Sequence, residues 1–180
     1  AAPEIVREAA DLMKAVLFRH PPKTIAEARA LHEFIEKNFI EGKRGADQIP
    51  GYELLTDLAI QRIRMGEPMD GKAVEAVFKE RTEKDEEDVD AGRRLKGRIY
   101  GELVVQGKMT AADIDALPLT VVKQEAHALI KAREVPTDTA LEFAEQQLKA
   151  GTIDEITRQA LAYYYVQDSM GDGKNVEAIN

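Results

Sequence analysis

The chain has 180 residues, no cysteine and a net charge of −8, from 25 basic and 33 acidic residues. This length suits one domain with a well-formed core, and the acidic balance disfavours nucleic acid over most of the surface. The absence of cysteine excludes disulfides, thiolate metal sites and cysteine nucleophiles. Ser169 is the single serine, and no Walker or dinucleotide-binding glycine motif is present, so the sequence disfavours serine hydrolases and phosphate-loop enzymes.

Four helices are predicted in the first half of the chain, separated by proline and glycine. The first covers residues 4–18, where these apolar side chains recur at helical spacing: Ile5, Ala9, Leu12, Met13 and Val16. Thr24-x-x-Glu27 matches a capping box and opens the second helix, which ends near residues 42–45. Segments 52–65 and 71–81 give the third and fourth helices.

The most distinctive stretch is 79–98, because its charge changes sign. Ten of the twelve residues from 79 to 90 are charged, and four basic residues follow: Arg93, Arg94, Lys96 and Arg98. If one helix spans both parts, Asp90 can pair with the first two arginines. We interpret the stretch as an exposed, self-paired helix or hinge where the domain could subdivide. The functional alternative is a docking segment for a charged partner, built on the four basic residues.

Residues 95–106 fit two kinds of secondary structure. Leu95, Ile99 and Leu103 recur every four residues, which favours a helix. Gly97 and Gly101, together with the β-branched pair at 104–105, leave a short extended segment near 98–105 as the alternative. Gly97-x-x-x-Gly101 is too loose to count as a motif and lies in no apolar span. We predict a helix.

The rest of the chain predicts four more short helices and a tail. They fall at 110–117, 119–133, 137–150 and 152–170, and residues 171–180 are small, polar and expected to be flexible. The prediction is therefore one all-α domain over residues 1–170, a compact bundle or irregular array of about eight short helices. The last helix contains Tyr163, Tyr164 and Tyr165, which cannot all face one core because successive residues turn by about 100°.

Metal and acid–base chemistry find little support in the sequence. None of His20, His32 and His127 has the spacing of a metal-ligand pair, so we predict no metal site and no cofactor. An enzyme based on carboxylates and histidine is kept as an alternative function, with His32, His127 and Glu125 as the residues to test. That hypothesis requires a deep pocket holding at least two of them.

The function predicted from these observations is non-enzymatic binding of another protein. The expected interface consists of seven residues: Arg93, Arg94, Lys96, Arg98, Tyr163, Tyr164 and Tyr165. The chain is expected to be a domain of a larger bacterial protein, cytoplasmic by default, although export without a signal peptide would also fit. The second alternative is an accessory domain in nucleic-acid processing, secretion or conjugation. Nucleic acid is disfavoured as a partner because acidic neighbours offset the basic segment. No apolar run reaches the roughly 20 residues of a membrane span.

Overall fold

The computed structural model describes residues 3–82, 85–134, 146 and 149–151 of the chain. These residues contain seven α-helices and no strand, which confirms the all-α prediction. The helices are α1 (Pro3–Arg19), α2 (Ile25–Ile35), α3 (Ile49–Arg64), α4 (Gly71–Val77), α5 (Glu86–Val105), α6 (Ala111–Asp115) and α7 (Thr120–Glu134). A π-helical turn (Glu36–Ile40) extends α2, and a 3-10 turn (Gly45–Gln48) leads into α3. The helices predicted at 137–150 and 152–170, and the tail, lie mostly or wholly outside the described residues.

Side-chain caps fix where several helices begin. The Thr24 hydroxyl accepts a hydrogen bond from the Glu27 backbone amide at 3.1 Å, and Thr110 and Asp113 form a full capping box at the start of α6. Each such cap stabilises its helix by about 1 kcal/mol. Asp85 caps α5 in the same way, so the charged stretch is not a single helix from residue 79. The acidic residues instead fill the first turn of α5, where the helix dipole favours negative charge.

Residues 95–105 belong to one continuous helix, so the extended alternative near 98–105 is wrong. The glycines that suggested a strand lie where α5 crosses α7. A β-carbon on Gly97 would stand 2.5 Å from the β-carbon of Glu125, and one on Gly101 would stand 2.9 Å from the carbonyl oxygen of Ala126. The spacing that looked too loose to count therefore permits close packing of two helices, because only glycine leaves room for the opposite backbone.

Helix α3 lies at the centre of the core and packs against α1, α2 and α5, while α5 packs most extensively on α7. These largest side chains are almost fully buried: Tyr52, Ile35, Leu54, Leu55, Leu58, Ile63, Ile99, Leu103, Ile114 and Leu129. None of the helices in the described residues combines the length and the hydropathy that a membrane span requires. The predicted subdivision near 79–98 stays a prediction.

Candidate functional site

The four basic residues of α5 each lie near a carboxylate of the same chain. The shortest distances between charged atoms are 3.6 Å for Arg93–Asp90, 3.6 Å for Arg94–Glu125, 2.7 Å for Lys96–Glu75 and 2.6 Å for Arg98–Asp57. The partners lie on four different helices, α5, α7, α4 and α3. The structure therefore does not gather these basic residues into one patch. Of the two pairs expected for Asp90, only the one with Arg93 forms, because Arg94 reaches α7 instead.

Arg98 is the most deeply placed of the four. Its side chain is 7% exposed and its guanidinium donates a hydrogen bond to Asp57 on α3. The ammonium group of Lys14 on α1 lies 3.9 Å from the other oxygen of the same carboxylate. This arrangement connects α5, α3 and α1.

Arg93 and Arg94 keep 36% and 40% of their side-chain surface exposed, and a docking role for them stays a prediction. The tyrosines at 163–165 lie outside the described residues.

Two buried carboxylates are each held between two arginines. Glu67, 7% exposed, accepts hydrogen bonds from Arg62 at 2.5 and 2.7 Å and from Arg29 at 3.2 Å. The Arg62 guanidinium, above all through its hydrogen bonds, lowers the pKa of Glu67. Glu102 is fully buried between Arg64 at 2.8 Å and Arg133 at 3.5 Å. A carboxylate whose oxygens face two guanidinium groups is a poor candidate for a general acid.

The residues of the enzyme hypothesis do not meet. His127 lies 2.8 Å from Asp115 in a groove of about 330 Å³, whose other lining residues are Thr120, Lys123, Gln124, Ala128 and Lys131. Glu125 faces α5, and His32 lies on α2, 2.7 Å from Glu36. Of the three residues only His127 lines this groove, so the structure does not bring two of them together there. The described residues also contain no cluster of three or more side chains that could together bind a metal ion.

Helix α1 exposes an apolar stripe. Its core side is formed by Val6, Ala10 and Leu17. On the adjoining side Ile5, Leu12 and Val16 are 60%, 70% and 53% exposed, with Ala9, also exposed, between them. These four residues, separated by four, three and four positions, define what we call the outward face of α1. The apolar periodicity of the sequence predicts this stripe. An apolar stripe usually faces the core, but this one faces away from it.

Charged residues border the outward face unevenly. Glu4 and Glu8 lie in the first half of α1 and Arg19 at its end. None of the three forms an ion pair with another described residue. The other two basic residues of α1, Arg7 and Lys14, lie 3.3 and 3.9 Å from carboxylates of α3. The charges that border the outward face therefore stay available to a partner.

Among the described residues, four of the six exposed large apolar side chains belong to α1: Ile5, Leu12, Val16 and Phe18. Soluble domains rarely expose several large apolar side chains along one helix unless the surface binds something. Three of these four, Ile5, Leu12 and Val16, lie on the outward face of α1, which makes this face the leading candidate for a functional surface. Comparison of the chain with protein-family models, curated proteins and solved structures finds no match.

Proposed function

We propose that the chain is a non-enzymatic, α-helical protein–protein interaction domain that docks its partner on the outward face of α1. The observation that carries this proposal is the exposure of Ile5, Leu12 and Val16 on one side of a 17-residue helix. The spacing of these residues matches the ridge that one helix offers to another in helix–helix packing. The partner it fits is an amphipathic helix with an apolar stripe of similar length.

A membrane surface would be a different ligand for an exposed apolar helix. Helices that lie on membranes carry a surplus of lysine and arginine on their polar side. The charged residues of α1 are balanced instead: Glu4, Glu8 and Asp11 against Arg7, Lys14 and Arg19. Two of the basic residues are also engaged with α3. The charge of α1 thus favours a protein partner over an anionic bilayer.

Site-specific photo-crosslinking in the cells that make the protein tests the proposal. A photoreactive amino acid replaces Leu12 on the outward face, and a matched variant carries it at Phe34 on α2, which is 50% exposed and also apolar. We expect one discrete higher-mass product from position 12 and little from position 34. Equal products from both positions, or none from position 12, would contradict a docking role for α1.

A further inference from the structure

We infer that the helix docked on the outward face is α1 of a second copy in antiparallel orientation, so that the protein forms a two-fold symmetric dimer. This inference rests on the proposed function and names its partner. Two observations carry it: the symmetry of the apolar stripe and the distribution of charge along its edge. Both are properties of α1 itself, as a two-fold interface requires, since each copy must present the same surface.

The apolar stripe is symmetric about its own midpoint. The separations between its four residues read the same from either end, and the midpoint lies between Ala9 and Leu12. When a second α1 runs in the opposite direction across this point, Ile5 opposes Val16 of the other copy. In the same register the small Ala9 opposes the larger Leu12. Small against large residues at facing positions allow two helices to approach closely.

The charges select the antiparallel orientation. At about 100° per residue, Glu4, Glu8 and Arg19 fall along one edge of the stripe. In an antiparallel pair the same edges of the two helices face each other, so Glu4 of each copy lies near Arg19 of the other. A parallel pair would instead bring opposite edges together, so Glu4 and Arg19 would lie away from their counterparts and form no ion pair across the interface. The opposed helix dipoles also favour the antiparallel arrangement.

The size of the surface sets the expected strength of the dimer. Helix α1 has 17 residues and is about 25 Å long. One pair of such helices buries less than the roughly 800 Å² per partner of a standard interface. We therefore expect a reversible dimer that dissociates on dilution.

Sedimentation velocity of the full chain from low to high micromolar concentration tests the dimer. The apparent mass should rise from that of the 20.0 kDa monomer towards twice this value. Leu12→Glu should hold the chain at the monomer mass, because it places two carboxylates near the two-fold axis. Phe34→Glu, a matched change at another exposed apolar residue, should dimerise like the unaltered chain. Circular dichroism melting confirms that both variants are folded. A monomer at every concentration overturns the inference.

Charge exchange tests the pairing of Glu4 with Arg19. Glu4→Lys should weaken the dimer by about tenfold, because two symmetric attractions become repulsions. The double variant Glu4→Lys/Arg19→Glu should recover most of the lost affinity. A double variant as weak as the single one would contradict the antiparallel register.

Engineered cysteines test the orientation directly, since the chain has no cysteine of its own. A mixture of Ile5→Cys and Val16→Cys chains should form a disulfide between the two variants under mild oxidation. Efficient disulfide formation by Ile5→Cys alone would show a parallel pair and overturn the inference.

The possible failures are distinguishable. A chain that stays monomeric but is crosslinked from position 12 to a different protein overturns the dimer and leaves the proposed function standing. If position 12 yields no product and the chain is monomeric, both fail. Flotation with phosphatidylcholine–phosphatidylglycerol vesicles covers the membrane alternative: vesicle binding that Leu12→Glu abolishes overturns both proposals.

Discussion

Gly97 lies directly against the backbone of Val122: a β-carbon on Gly97 would stand 2.6 Å from the Val122 carbonyl oxygen. Glycine inside a helix costs about 1 kcal/mol relative to alanine. Here the closer packing of α5 and α7 offsets this cost, because no β-carbon at position 97 keeps the two helices apart. Gly101, one turn later, lies against Ala126 and Leu129 in the same way.

Replacing Gly97 with alanine should therefore destabilise the protein, although alanine is the better helix former. The new methyl group must push two backbones apart, and overpacking of this kind costs about 1–3 kcal/mol. Urea unfolding measures the change. Gly71→Ala is the matched control, because its new β-carbon would meet only the Tyr100 hydroxyl at an ordinary 3.8 Å. If Gly97→Ala is as stable as the unaltered chain, the close approach of α5 and α7 is wrong.

The Arg98–Asp57 pair should contribute strongly to stability. Arg98→Met leaves the Asp57 carboxylate, 21% exposed, with only the more distant Lys14. We expect a loss of about 2–3 kcal/mol, below the roughly 3–5 kcal/mol of a fully buried pair. Arg93→Met should cost less than about 0.5 kcal/mol, because Arg93 and Asp90 are 36% and 41% exposed. Chemical denaturation compares the two variants. Equal losses would mean that Arg98 is no more structural than Arg93.

Local signals in the sequence were enough to predict most of the fold. Apolar periodicity and the caps at Thr24 and Thr110 predicted helices whose bounds agree with the structure to within a few residues. Periodicity alone could not explain Gly97 and Gly101, because their meaning depends on α7, which is distant in the sequence. The four-residue spacing of the two glycines, which places them on one face of a helix, was the available signal.

The candidate site was less accessible to sequence reasoning. The basic residues of α5 were recognised, but the partners of Lys96 and Arg98 are 21 and 41 residues away, and no local rule connects them. The outward face of α1 was detected as a helical stripe. Its exposure could not be predicted, because Val6, Ala10 and Leu17 form an adjoining stripe and both sides of the helix are apolar.

Tyr52 and Tyr100 should respond differently to loss of the hydroxyl. The ring of Tyr52 stacks on Phe78 at a centroid distance of 5.5 Å, and its buried hydroxyl has no hydrogen-bond partner among the described residues. Tyr52→Phe should therefore be neutral or stabilise the protein by up to about 1 kcal/mol. The Tyr100 hydroxyl donates to Glu75 at 3.3 Å, so Tyr100→Phe should cost about 0.5–1 kcal/mol. Thermal unfolding ranks the variants, and the reverse order would contradict this difference.

Both tyrosines should also make the protein sensitive to alkali. Burial raises the pKa of Tyr52 and of Tyr100 from 10.0 to about 12. Between these values the unfolded chain releases protons that the folded chain retains, so stability is present below pH 10 and falls as the pH rises. The double variant Tyr52→Phe/Tyr100→Phe should lose less stability than the unaltered chain over this range. Urea midpoints against pH measure it. If the urea midpoints of the two proteins fall equally with pH, Tyr52 and Tyr100 are not the cause of the loss of stability in alkali.

His32 should give the opposite pH dependence. Burial, with the charges of Arg62 and Lys79, lowers its pKa from 6.5, and Glu36 only partly offsets this. As the pH falls below 6.5 the unfolded chain takes up a proton first, so the contribution of His32 is present above this pH and is lost below it.

The variant His32→Gln isolates this contribution from the titration of the carboxylates. Its amide can still donate a hydrogen bond to Glu36, but it does not titrate. We expect the free energy of unfolding to fall less steeply between about pH 7 and about pH 5.5 in this variant than in the unaltered chain. His20→Gln, a change at an exposed histidine beyond the end of α1, is the matched control for the loss of an imidazole. Should all three proteins lose stability in parallel, burial of His32 would not be the cause of the acid sensitivity.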